Sequence, residues 1–92
     1  MTWFVKIEQG IVAKEIFDQF VPLHIEYIKS LNDLGHQATT GYWGELGGGM
    51  LLFQAESFAD AKNIVENDPL VKNNCVEYQL HEWRIVAGNL SF

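Results

Sequence analysis

Alternating apolar and polar side chains predict a first β-strand at the beginning of this chain. The apolar positions are Trp3, Val5 and Ile7, and the polar positions are Thr2, Lys6 and Glu8. Because neighbouring side chains of a strand point to opposite faces, this period of two indicates a strand whose faces differ in polarity. Gly10 ends the strand.

A helical period follows from about Ala13 to Leu34. Its apolar residues recur at steps of three and four, at Phe17, Phe20, Val21, Ile28, Leu31 and Leu34. Gly35 supplies the left-handed residue that commonly ends a helix. Proline fits a first helical turn better than a helix interior. Pro22 therefore leaves two alternatives, a kinked helix or a main helix that starts near Val21.

Two further strands are predicted over residues 36–43 and 49–55, joined by a glycine-rich hairpin. A second helix is predicted to begin after an N-cap at Ser57 and to run through Asn67. Pro69 prevents it from continuing.

A last strand alternates from Val76 to Leu80. Beyond Leu80 the apolar positions change phase, to Trp83 and Ile85. This change predicts either a bulge near His81 or a change in what the strand packs against.

The order strand, helix, strand, strand, helix, strand predicts an α+β fold of the ferredoxin-like type. With right-handed crossovers it gives a four-stranded antiparallel sheet with two helices on one face. The other face would be covered by the sheet of a second subunit, which makes a dimeric α+β barrel with room for a small ligand between the sheets.

Length and composition agree with a single small domain over residues 1–92. The chain has 92 residues, of which 48% are hydrophobic. A chain this short buries a smaller fraction of its surface than a longer chain does, and it gains much by covering one sheet face with a second copy. We therefore expect a homodimer or a higher oligomer.

Charge narrows the choice of partners. The net charge of −6 and only six Lys and Arg residues argue against nucleic acid, which is bound mainly through basic side chains. No apolar run is long enough for a membrane span, and the N-terminus lacks a signal-peptide pattern. Cys75 is alone and fits a reducing compartment. The expected location is cytoplasmic, and the expected partner is a small molecule.

Topology brings one candidate pair for chemistry to the same end of the molecule, His24 and Asp68, beside Tyr42, Trp43 and the glycine loop. An imidazole transfers protons at physiological pH, and a carboxylate on its other nitrogen fixes the tautomer. Two alternatives stay open. His24 lies on the sheet-facing stripe and fits a core histidine bonded to a carbonyl, and Asp68 before a proline fits a helix N-cap. One carboxylate has enough oxygens for both roles.

Other candidates have simpler explanations beside the functional one. The glycines at 47–49 lack the lysine and helix of a phosphate loop and favour a hairpin. Tyr42 and Trp43 fit either a planar ligand or a dimer interface. Arg84 fits either a substrate carboxylate or a surface acid.

Metal binding and thiol chemistry have little support in the sequence. A metal set would combine His36 and His81 with Glu82 or Glu45, but these positions have no recognised ligand spacing. No metal is expected, and nothing in the sequence supports Cys75 as a nucleophile.

Short motifs spread over nearly the whole chain carry a resemblance. They are Pro22-Leu23-His24, Gly35, Gly41, a glycine near Gly48, Ser57 with Ala61, and Asp68-Pro69. Together they resemble the YCII-related family within the dimeric α+β barrel group. The resemblance implies that His24 and Asp68 correspond to the family's active-site pair. The sequence departs from many relatives in having Tyr42-Trp43 after Gly41, where they have proline, and in a shorter loop over residues 42–49.

The resemblance implies that this chain is related to small enzymes that isomerise ring-derived lactones and chlorinated aromatics or catalyse elimination reactions on them. The leading expectation is a cofactor-independent lyase or isomerase in which His24 transfers a proton and Asp68 orients the His24 ring. The substrate-binding candidates are Gly41, Tyr42, Trp43 and Arg84. The alternative is a non-catalytic barrel that binds a small ligand or regulates. A cofactor-free oxygenase rests on fold analogy alone.

Overall fold

The computed structural model describes residues 1–45 and 47–90. Leu46, in the loop of the expected hairpin, and the last two residues lie outside this range. The elements are β1 (Thr2–Gly10), α1 (Lys14–Asp33), β2 (Thr39–Tyr42), β3 (Gly48–Ala55), α2 (Phe58–Glu66), α3 (Pro69–Lys72) and β4 (Val76–Glu82). No helix in the described ranges is both long and apolar enough to cross a membrane.

The four strands form one antiparallel sheet in the order β2-β3-β1-β4. This order, with β1 and β3 in the centre, is the ferredoxin-like arrangement that the sequence predicts, and the α+β fold class is confirmed. The second helical region is divided at Asp68, so that the short helix α3 follows α2.

Helix α1 runs without interruption through Pro22. The alternative of a main helix that starts near Val21 is therefore wrong. At its C-terminus, Gly35 adopts a φ of +86°, its N–H donates to the Asn32 carbonyl at 3.0 Å, and the His36 N–H donates to Leu31 at 3.1 Å. This is the Schellman geometry that favours glycine.

Strand β4 passes through His81 in regular register. His81 pairs with Val5 and Glu82 pairs with Phe4, so the predicted bulge near His81 is wrong. The apolar phase changes because the strand ends at Glu82.

The two faces of the sheet have opposite surroundings. We call the side covered by the helices the helix face. On it Phe4 and Phe53 stack at 6.0 Å, and the core there is completed by Leu51 of β3 with Ile28 and Leu31 of α1. The other side, the bare face, carries an apolar hollow of about 390 Å³ lined by Val5, Ile7, Met50, Leu52, His81 and Trp83.

Candidate active site

A lysine lies at the centre of the candidate site. Lys6 is in the middle of β1, opposite Leu51 on one side and Leu80 on the other, and its side chain is fully buried on the helix face. Its Nζ lies 3.0 Å from Glu8 Oε1 and 3.2 Å from Asp68 Oδ2. Each charged group therefore has a partner of opposite sign, which is how charges persist in an interior.

Asp68 connects this lysine to α1 and also begins α3. Its carboxylate is fully buried, and Oδ1 accepts the Leu70 N–H at 3.0 Å as an N-cap. Both carboxylate oxygens lie 2.9 Å from His24 Nδ1. The cap and the imidazole contact occur together, as two oxygens allow.

The electrostatics of the site keep Asp68 ionised. Burial on its own raises the pKa of the Asp68 carboxyl, but the hydrogen bond from His24 and the positive charge of Lys6 outweigh it, so the pKa lies below its usual value. An ionised carboxylate only accepts hydrogen bonds, so His24 Nδ1 is the donor. The proton that His24 exchanges is therefore carried by Nε2.

His24 faces the sheet from α1, four residues before the buried Ile28. Its side chain is 8% exposed, and Nε2 lies 3.0 Å from Thr40 Oγ1 on β2. No backbone carbonyl is needed to satisfy the ring, because Asp68 and Thr40 hold its two nitrogens. The expected contact of His24 with Asp68 is present, on the helix face of the sheet.

The position of this cluster separates it from the space that two stacked sheets would enclose. Lys6 and Glu8 alternate along β1 with Val5 and Ile7, which line the bare face. A ligand held between two sheets would thus be separated from His24 by the sheet itself. A substrate for His24 would therefore have to approach from the helix face or from the edge of the sheet.

The loop between β2 and β3 carries the aromatic candidates. The Trp43 N–H donates to the Gly48 carbonyl at 2.9 Å, and a Cβ on Gly48 would come within 3.1 Å of the indole Nε1 of Trp43. Trp43 thus packs on the glycine loop and is 39% exposed. Tyr42 lies two residues after Thr40, on the same face of β2, and is 89% exposed.

Gly41 and Arg84 are the remaining substrate-binding candidates. Around Gly41 there is open space where a side chain would stand. Arg84 lies beyond the end of β4 that pairs with the beginning of β1, and its Nε donates to Glu82 Oε2 at 2.6 Å. The Arg84 side chain is 85% exposed, which agrees with pairing to a surface acid. Substrate binding by Gly41, Tyr42, Trp43 and Arg84 stays a prediction.

Metal and thiol candidates are separate from the cluster. Within residues 1–45 and 47–90, no group of three or more His, Cys, Asp or Glu side chains is arranged around a metal position. His36 Nδ1 donates to the Gln54 carbonyl at 2.8 Å. Cys75 is buried, and burial raises the pKa of its thiol, which disfavours the reactive thiolate.

Sequence reasoning missed Lys6, Glu8 and Thr40. It placed Lys6 and Glu8 on the polar face of the first strand without assigning them a role. The available signal was the position of β1, because a central strand of the predicted barrel is covered on both faces. A charged residue in the middle of such a strand must be buried and paired on either face.

Comparison with solved structures finds that this chain is similar to an enzyme of known activity. It is 5-chloro-2-hydroxyhydroquinone dehydrochlorinase (TftG) from Burkholderia phenoliruptrix AC1100, solved in complex with 2,5-dihydroxybenzoquinone, with a TM-score of 0.68 and 20% sequence identity. The match covers 89% of this chain and 93% of that one. It confirms the fold. Comparison with curated proteins gives no significant match.

The family comparison covers most of the chain. The model of the YCII-related domain matches residues 2–84, a range that contains β1, both residues of the His24–Asp68 pair, Thr40 and β4. The resemblance first drawn from short motifs is thereby confirmed along nearly the full sequence, and this chain belongs to the YCII-related family.

Proposed function

We propose that this protein is a cofactor-independent enzyme of the lyase or isomerase type that acts on a small ring-derived or carbonyl compound. His24 transfers the proton, and Asp68 positions its ring. The observation that carries the proposal is the contact of His24 Nδ1 with both oxygens of an ionised, buried carboxylate, at 2.9 Å.

The chemistry follows from the tautomer. With a proton on Nδ1, neutral His24 has a lone pair on Nε2 that takes a proton from carbon or oxygen next to a carbonyl, and Asp68 stabilises the imidazolium that forms. Return of the proton to another atom gives isomerisation, and departure of a leaving group gives elimination. Proton transfer of this kind contributes about 100-fold to 10,000-fold in rate.

The structural neighbour supports the same class of reaction. A dehydrochlorinase removes hydrogen chloride from its substrate, which requires a group that accepts a proton. His24 provides such a group on a fold that matches over 93% of the neighbour's chain. The first compounds to test are therefore hydroxylated chloroaromatics and ring-derived lactones.

The experiment is turnover of such a panel, beginning with 5-chloro-2-hydroxyhydroquinone, by the native protein and by His24→Gln. The variant is expected to lose about 100-fold or more in kcat/KM. His36→Gln is the matched control, because His36 bonds the Gln54 carbonyl and not Asp68. Full turnover by His24→Gln would contradict the proposal.

One observation favours a second candidate, a non-catalytic barrel that binds a small ligand. The His24 side chain is 8% exposed and both ring nitrogens have partners, which is also the state of a structural histidine. A binder raises its melting temperature with ligand, because the ligand stabilises only the folded state. Stabilisation by 2,5-dihydroxybenzoquinone, with no turnover of any panel compound, would favour this candidate.

We also propose that the protein assembles as a homodimer through the bare face. The support is the apolar hollow on that face, together with exposed side chains such as Ile7 at 41% and Trp83 at 44%. Contiguous exposed apolar surface of this kind marks an interaction site. The cytoplasmic location expected from the sequence stays a prediction.

A further inference from the structure

The two ring nitrogens of His24 have partners of different kinds. Nδ1 faces the buried carboxylate of Asp68, and Nε2 faces the hydroxyl of Thr40 at 3.0 Å. The His24 side chain is 8% exposed, whereas Thr40 is half-buried on β2, an edge strand of the sheet. Thr40 is therefore more exposed than the ring, and its hydroxyl is the partner of Nε2.

We infer that Thr40 is a catalytic residue whose hydroxyl contacts the substrate and passes the proton between the substrate and His24 Nε2. The inference rests on the proposed function and names a residue that the family resemblance does not supply. A threonine hydroxyl has one hydrogen to donate and two lone pairs with which to accept, so it bonds to Nε2 and to a second group at once.

The proton balance is simple. In the forward direction the Thr40 O–H bond breaks as its hydrogen moves to Nε2, and Oγ1 gains a hydrogen from the substrate in the same step. Thr40 ends as a neutral hydroxyl, the substrate carries one more negative charge, and His24 becomes an imidazolium facing Asp68. The reverse step returns one proton to the substrate, and no other reactant is required.

This relay selects the kind of proton that is transferred. Hydroxyl relays work between groups joined by good hydrogen bonds, and O–H donors form such bonds, whereas C–H groups form weak ones. The substrate proton that Thr40 accepts is therefore on oxygen, as in an enol or a phenol.

Two variants of Thr40 distinguish the effect of its side-chain shape from the effect of its hydroxyl group. Thr40→Val keeps the branched side chain and suits a strand but has no hydroxyl, and Thr40→Ser keeps the hydroxyl on a smaller side chain. Thr39→Val is the matched control, because Thr39 is the neighbouring strand residue on the opposite face. Circular dichroism melting establishes that each variant folds.

The first measurement needs no substrate. The exchange rate of the His24 Nε2 hydrogen with solvent is followed by NMR at a pH where the ring is protonated. A relay predicts exchange that is several-fold slower in Thr40→Val than in the native protein, with native rates in Thr40→Ser and Thr39→Val. Equal or faster exchange in Thr40→Val would overturn the inference.

The second measurement uses 5-chloro-2-hydroxyhydroquinone as the probe. The relay predicts that kcat falls about 100-fold in Thr40→Val and stays near the native value in Thr40→Ser. If His24→Gln is inactive while Thr40→Val is fully active, the inference about Thr40 fails and the proposed function stands. If His24→Gln is fully active, the proposed function fails, and the exchange measurement alone decides whether Thr40 conducts the proton.

Discussion

In the middle of β1, from Lys6 to Glu8, the two faces of the sheet reverse the usual distribution of polarity. On the helix face Lys6 is fully buried and Glu8 is 7% exposed. On the bare face, the next residue of the same strand, Ile7, is 41% exposed. Charged residues are rarely buried in proteins unless they are paired. The middle of β1 therefore carries two charged side chains inward and Ile7 outward, although Phe4 of the same strand packs in the core.

The difference is what the proposed site on the helix face and the proposed interface on the bare face would produce. Burying an ion costs several kcal/mol, which only close partners offset. Over the described ranges, no buried side-chain nitrogen or oxygen lacks a hydrogen-bond partner. The fully paired charge cluster inside supports the proposed site for chemistry, and the apolar surface outside supports the proposed dimer interface.

The largest effect on this comparison is expected from Lys6→Met, which keeps the length of the side chain and removes its charge. Asp68 and Glu8 would then be buried without their shared cation. Breaking a buried pair in this way costs about 3–5 kcal/mol in free energy of unfolding, which urea denaturation measures.

Lys14→Met provides the control for this substitution. Lys14 pairs with Asp18 at the surface, and its side chain is 84% exposed, so we expect no measurable loss of stability. Equal stability of Lys6→Met and the native protein would mean that the buried cluster is not held by its charges.

A smaller, pH-dependent effect is expected from Asp68→Asn. The folded pKa of Asp68 lies below the ordinary value of 3.8, because His24 and Lys6 outweigh the effect of burial. Such a group adds stability above its unfolded pKa and loses it as pH falls through its folded pKa. The native protein should therefore exceed Asp68→Asn in stability near neutral pH, and this difference should shrink below about pH 3.8.

Ser57→Ala is the control for the pH series. Ser57 caps α2 by accepting the Asp60 N–H at 3.1 Å, and serine does not titrate in this range. The loss of about 1 kcal/mol expected for a removed cap should therefore be the same at each pH. If the difference for Asp68→Asn were also independent of pH, Asp68 would act as a cap alone.

Ile7→Glu is expected to have the smallest effect on the folding stability of the subunit. Its effect on assembly of the proposed dimer is expected to be large. An exposed position changes folding stability by about 0.5 kcal/mol or less, but a charge on the bare face would oppose a second sheet. Sedimentation should give a dimer for the native protein and a monomer for the variant. Ile16→Glu on α1, at a similar exposure of 46%, should stay dimeric. A native monomer would exclude this face as the interface.

Much of the fold was predictable because it depends on local pattern. Alternation and helical period located the strands and helices, Gly35 marked a C-terminus that the structure closes with two backbone hydrogen bonds, and Ser57 marked an N-terminus. The contact between His24 and Asp68 was expected from topology, although in the structure His24 lies in the middle of α1 and not at its start.

The remainder depends on side-chain partners that pattern does not contain. Alternation shows that Lys6 and Val5 lie on different faces but not which face meets the helices. In the structure Phe4 shares the face of Lys6 and packs in the core, so this is the face that the helices cover. Thr40 was equally hidden, because a threonine in a strand is ordinary until the neighbouring helix brings an imidazole to 3.0 Å.

Asp68 both begins α3, by accepting the Leu70 N–H, and holds the ring of His24. The cap is needed for the fold, whereas the contact with His24 is needed only for the proposed chemistry. A descendant that had lost its chemistry would still be selected to keep Asp68, because its fold would suffer without the cap. The Asp-Pro pair on its own therefore does not identify an active enzyme, and if Thr40 passes the proton as inferred above, a hydroxyl at position 40 is the better marker of activity.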